Sequence, residues 1–168
     1  MHAAVRYLLE ARPEAELTIP AIASQAGVTP STIYRRWGSL TELLADVAVE
    51  RLRPDGEPED TGSFAGDLEA WLEQFADEMS SRPGQAMVRD VLASPSGPQM
   101  ACRCTGYIVD QLGILVERAG HRGETAPPVD QLIDLLVAPV MYRLHFIGEP
   151  MTGTYREDLL QRALKVRR

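Results

Sequence analysis

Cysteine is nearly absent: the 168 residues include only Cys102 and Cys104. Their two-residue offset turns the side chains to different faces of a helix, so no disulfide framework follows from them. They read as small packing residues, with oxidation sensing beside Arg103 as the alternative. Histidine is as sparse. His2, His121 and His145 lie far apart, no His-Glu cluster has metal-ligand spacing, and no glycine-rich phosphate loop follows a strand. Neither a metal nor a cofactor is expected, and enzymatic chemistry finds no constellation to carry it. Long apolar runs and a basic-then-apolar leader are also missing, which excludes a membrane span and predicts a cytoplasmic protein. No segment alternates as a strand would, so the expected fold class is all-α.

Positive charge is scarce overall, since the net charge is −7. Its distribution is uneven. Residues 1–53 carry six basic and six acidic side chains, and residues 54–168 carry eleven and eighteen. Leu17 to Thr41 has no carboxylate and holds the adjacent pair Arg35 and Arg36. A phosphate feels charge only within about 8 Å at physiological salt, so this stretch can be locally positive on an acidic protein.

What the chain has in abundance is helix starts. Ala3, Ala4, Val5, Tyr7, Leu8 and Leu9 predict a first helix ending before Pro13. Thr18 precedes Ile19-Pro20 as a cap, and Ile22, Ala23 and Ala26 give a short apolar face that stops at Gly27. Thr29 and Pro30 open a third helix with Ile33 and Trp37 inward. Ser39 and Glu42 form a capping box for a fourth, carrying Leu43, Leu44 and Val47, with Leu52 as a further candidate. The stretch Arg53 to Gly62, rich in proline, glycine and acid, reads as a linker, giving domains 1–53 and 54–168 with residues 39–53 as connector. Beyond it, helices are expected over 64–79, 85–93, 100–119, 129–147 and 155–164. Pro139 should kink the fourth of these.

Ile22, Ala23, Ala26, Gly27, Val28 and Ile33 have helix-turn-helix spacing: Ala23 permits close approach, Gly27 the left-handed turn. With Ile33 and Trp37 inward, Ser31, Tyr34 and Arg35 turn outward, on the face that a recognition helix lays into a major groove. Arginine there can read guanine or bind phosphate; serine and tyrosine hydroxyls can reach phosphate. The stretch Leu17 to Trp37, followed by Ser39 and Glu42-Leu43-Leu44, resembles the signature of the TetR family of one-component transcriptional regulators. The resemblance implies an N-terminal three-helix reader, a connecting fourth helix, and a C-terminal domain that binds a small-molecule effector and forms a homodimer. By position it puts Thr18, Thr29, Ser31, Thr32, Tyr34, Arg35 and Arg36 against double-stranded operator DNA, most commonly as a repressor. Two departures stand out. Leu40 replaces the family's phosphate-binding lysine, and the first helix looks shortened, as in a truncated N-terminus.

In the second domain, Trp71, Phe75, Met79, Met87, Tyr107, Met141 and Tyr142 are candidates to line a pocket, although aromatic and methionine residues at helical spacing are ordinarily core. His145 is read as a satisfied polar side chain, with a ligand contact as the alternative. The apolar residues of 129–147 spread around the helix, which calls for burial on several sides. Leu132, Leu136, Val140 and Leu144, with Leu159 and Leu160, are therefore expected at a two-fold interface. An interaction module whose helix-turn-helix no longer binds DNA stays open, given the acidic charge and Leu40.

Overall fold

The computed structural model describes residues 1–11, 17–51, 53–54 and 56–166. Among them the regular structure is helical throughout. In chain order the helices are α1 (His2–Ala11), α2 (Ile19–Ala26), α3 (Pro30–Trp37), α4 (Leu40–Arg51), α5 (Phe64–Ser80), α6 (Arg82–Ala93), α7 (Gly97–Arg122), α8 (129–147) and α9 (Gly153–Lys165). Pro13 and Leu52, to which the sequence reading gave roles, lie outside the described residues.

Two compact units emerge, one of Met1–Arg53 with Met87–Cys104, the other of Pro54–Ala86 with Thr105–Arg168. The first unit thus takes in a segment that the sequence reading assigned to the second domain. Glu42 is part of the reason. Its backbone N–H donates to Ser39 Oγ at 3.2 Å, as the capping box requires. Its carboxylate does not close the box; it accepts from Ser94 Oγ and the Ser96 N–H, both at 2.9 Å. These hydrogen bonds, led by the Ser96 backbone N–H, hold the Glu42 pKa below its ordinary value against the opposing effect of burial.

The core of the first unit gathers Val5, Ile19, Ile22, Ala23, Ile33, Leu43 and Val47 from α1 to α4. The second packs Leu68, Trp71 and Leu72 of α5 and Leu112 and Leu115 of α7 against α8 and α9. Its acidic entry strand is strapped down rather than loose. Arg118 donates to Pro58 O at 2.8 Å and pairs with Glu57 at 2.8 Å, and Arg122 pairs with Asp60. Fully buried Asp67 accepts from Thr61 N–H and Oγ1, both at 2.7 Å, and from Arg122 at 2.9 Å.

Helix α8 answers its proline in an unexpected way. Proline lacks a donor and its ring collides with the carbonyl four residues back. Ile133–Val137, just before Pro139, is a π-helical turn in which the Ala138 N–H reaches back to Ile133 O. The added residue in the ladder absorbs the disturbance, and Ala138–Tyr142 continues as α-helix. A second π turn, Arg143–Ile147, ends at Gly148, whose φ of 74° closes the helix.

Candidate nucleic-acid interface

The turn between α2 and α3 is built from local chemistry. Thr18 Oγ1 accepts the Ala21 N–H at 3.4 Å and starts α2. Gly27 adopts φ 68° and ψ 31°, where a side chain would strain the backbone, and lets the Val28 N–H return to Ala23 O at 3.0 Å. Thr29 occupies the capping position of α3 without capping it. Its hydroxyl instead meets those of Ser31 at 2.9 Å and Thr32 at 3.1 Å, forming an exposed hydroxyl cluster at the helix start.

Ile33 is fully buried and Trp37 half-buried, so α3 turns its other side to solvent. Thr18, Thr29, Ser31, Tyr34, Arg35 and Arg36 are all exposed and Thr32 is half-buried. At about 100° per residue, Ser31, Tyr34 and Arg35 share one face, while Arg36 lies on its flank. The Arg36 guanidinium sits 4.7 Å from the centre of the Trp37 ring, a cation–π contact. The first carboxylates after α3, those of Glu42 and Asp46, are already engaged. Asp46 accepts from Trp37 Nε1 at 3.0 Å, His2 Nε2 at 2.9 Å and Arg103 Nη1 at 2.8 Å. Burial pushes its pKa up, but these donors together outweigh burial and hold it below the ordinary aspartate value. The outward face of α3 is therefore left to hydroxyls and guanidinium groups. Alongside it runs an open groove of about 620 Å³, lined by Arg36, Trp37, Ser39, Glu42, Asp46 and Met100 among others.

The residues proposed for a pocket in the second domain do not form one group. Trp71, Met79 and Met87 are buried, Phe75, Tyr107 and Met141 half-buried, and Tyr142 exposed. Trp71 donates to Gln111 Oε1 at 3.0 Å and stacks on Phe75, which is how a core tryptophan behaves. Met87 falls in the first unit, apart from the others in the division of the chain. The expected interface residues lie mostly inside the chain. Leu132, Leu136, Val140, Leu159 and Leu160 are buried within a single chain, because α8 and α9 spend that face on α5 and α7; Leu144 is half-buried. The large apolar side chains that α8 exposes are Tyr142, Phe146 and Ile147, at 60%, 74% and 51%. Tyr142 and Phe146 stack with ring centres 5.6 Å apart. Apolar positions spread around the helix had signalled burial on several sides, but not which side solvent would meet.

His145 is not the satisfied side chain expected of it: its Nε2 is buried and unpartnered among the described residues, and burial lowers its pKa. Cys102 and Cys104 are free thiols, the second pushed up in pKa by burial, which argues against a reactive thiolate. Among the described residues no three metal-ligating side chains converge, and no helix is long and apolar enough to cross a membrane.

Comparison with known proteins agrees with this geometry. Residues 1–47 match the model of bacterial regulatory proteins of the tetR family, and residues 58–163 match that of the tetracyclin repressor-like C-terminal domain. The HTH-type transcriptional regulator AqdR of Rhodococcus erythropolis is 27% identical over 68% of this chain, which spans 57% of that protein. The uncharacterized HTH-type regulator YdeS of Bacillus subtilis is 27% identical over 98% of this chain and 86% of its own length. Rv1556 of Mycobacterium tuberculosis, another uncharacterized HTH-type regulator, is 30% identical over 86% of the chain and 74% of its own. The crystal structure of the TetR family transcription regulator SCO0332 superposes with a TM-score of 0.71 at 25% identity, covering 97% of this chain and 93% of that one. With the helix-turn-helix at its N-terminus and both family models matched, this chain belongs to the TetR family and is a helix-turn-helix transcriptional regulator.

Proposed function

We propose that the protein is a cytoplasmic, dimeric repressor that grips operator DNA through Thr18, Thr29, Ser31, Thr32, Tyr34, Arg35 and Arg36 and leaves it when a small-molecule effector binds the second domain. The observation that carries this reading is the solvent-facing, carboxylate-free side of α3, backed by Ile33 and Trp37. Arg35 and Ser31 suit base edges in the major groove, while Tyr34 and the flanking Arg36 suit phosphates. Two copies must lie about 34–36 Å apart to enter successive grooves. A fluorescence titration with selected and scrambled duplexes tests this: the selected duplex should bind far tighter, and both affinities should fall steeply as salt rises. Equal, weak binding to both would remove the operator from the account.

The second copy is expected on the exposed strip Tyr142, Phe146 and Ile147, since contiguous aromatic surface of this kind is seldom left in water. Phe146→Glu should convert dimer to monomer in light scattering at micromolar concentration while the helical circular dichroism is kept. A dimer that persists in this variant and in Tyr142→Glu would move the interface elsewhere. Effector release needs only a modest bias: tenfold weaker DNA binding corresponds to about 1.4 kcal/mol of differential affinity between the two states.

A further inference from the structure

Helix α3 has eight residues and one fully buried side chain, Ile33. Apolar burial is non-directional, so on its own it leaves a two-turn helix free to roll about its axis. At a radius of about 6 Å, a roll of roughly 20° displaces a side-chain tip by about 2 Å. Hydrogen bonds to base edges do not survive such a shift. Something directional must fix the roll, and in this unit it is found one turn beyond Ile33. The Trp37 indole N–H ends on Asp46 Oδ2, the atom that also accepts from His2 of α1. The other oxygen of the same carboxylate holds Arg103, near the start of α7, whose second nitrogen lies 3.6 Å from Glu50.

We propose that Asp46 is a positioning residue for DNA binding: by taking hydrogen bonds from Trp37, His2 and Arg103 at once, it fixes the roll of the recognition helix. Arg36 follows, because its guanidinium lies over the Trp37 ring. An ionised carboxylate is the group this junction needs. It presents acceptors only, whereas an asparagine of the same shape would turn an NH₂ toward either Arg103 or the Trp37–His2 pair. The assignment rests on the DNA-binding reading, and its test is built to tell the two apart.

Asp46→Asn and Trp37→Phe should each lower affinity for the selected operator about tenfold, the usual consequence of losing a hydrogen bond to a charged group. The double variant should lose no more than Asp46→Asn alone, since Trp37→Phe removes a link that Asp46→Asn already cuts. Binding to scrambled duplex at low salt should stay nearly unchanged, because phosphate attraction does not depend on roll. The sequence has two tryptophans, so the indole N–H cross-peak that vanishes in Trp37→Phe identifies that of Trp37. In DNA-free Asp46→Asn this peak should move upfield. Should Asp46→Asn fail to fold, Trp37→Phe, which keeps a ring in place and removes only the donor, must still show the tenfold loss. An unmoved indole peak, an operator affinity equal to wild type, or losses that multiply in the double variant would each overturn the assignment. A wild-type protein that selects no duplex would defeat the DNA reading and this one with it, whereas a wild type that binds no better than Asp46→Asn defeats this one alone.

Discussion

Replacing Arg35 by alanine is expected to weaken binding to the selected operator by at least about thirtyfold and to relax its sequence preference at one position in each half-site. A good bidentate contact from arginine to guanine discriminates by about 1–3 kcal/mol, and the proposed dimer would make it twice, so even the lower bound gives about 2 kcal/mol. Three observations support this proposed role: Arg35 is exposed, it shares its face with Ser31 and Tyr34, and no carboxylate pairs with it among the described residues. Tyr34→Phe should behave differently. On the proposed reading its hydroxyl reaches phosphate, so its loss should lower affinity for selected and scrambled duplexes alike, with the preference between them kept. Selection from random duplexes followed by titration separates the two effects. If Arg35→Ala retains both affinity and preference, the outward face of α3 is not the reader.

Much of the first unit was legible because its signals are local. Thr18 caps α2, Gly27 takes the left-handed turn, and Ile33 lies inward with Tyr34 and Arg35 outward, all from contacts within a few residues. Where a side chain had a choice of partners, locality misled. Thr29 sits where a cap should be and spends its hydroxyl on Ser31 and Thr32; Glu42 answers Ser94 and Ser96, more than fifty positions away, rather than its own helix. The same holds for Asp46, whose donors come from residues 2, 37 and 103 and leave no periodic trace. In the second unit, apolar periodicity located α5, α7, α8 and α9. It could not rank the faces of α8, because Leu132, Leu136 and Val140 are as apolar as Phe146 and Ile147, and only packing decides which set is used within one chain. Nor does a proline announce that the turn before it will be π-helical. Ile133–Val137 took the turn.

The largest loss of stability is expected from Asp67→Ala. Asp67 is fully buried, and its carboxylate is the shared acceptor for the Thr61 N–H, the Thr61 hydroxyl and the Arg122 guanidinium. Removing it takes the acceptor from the Thr61 N–H and hydroxyl and leaves Arg122 with only Asp60 and Glu124, so the acidic segment before α5 is held more loosely. Losing hydrogen bonds to a charged acceptor costs about 1.5–3 kcal/mol; because Arg122 reaches water and keeps Asp60 and Glu124, a loss of about 2 kcal/mol is expected, below that of a fully buried pair. For a chain of this length that lowers Tm by roughly 4–8 °C. Asp67→Asn, which can still accept from Thr61 but carries no charge, should lose roughly half as much. The effect should also depend on pH in a definite direction. Burial raises the Asp67 pKa, yet the two Thr61 bonds and Arg122 outweigh it and keep the folded value below that of the unfolded chain. A carboxylate with a depressed folded pKa contributes fully above its unfolded value, near 4, and loses that contribution as pH falls through the folded one. The gap in Tm between wild type and Asp67→Ala should therefore be widest at neutral pH and close steadily below about pH 4. A gap that stayed constant down to pH 3 would mean that Asp67 acts through shape alone, and that the strap from Asp60 to Thr61 is held by packing rather than by charge.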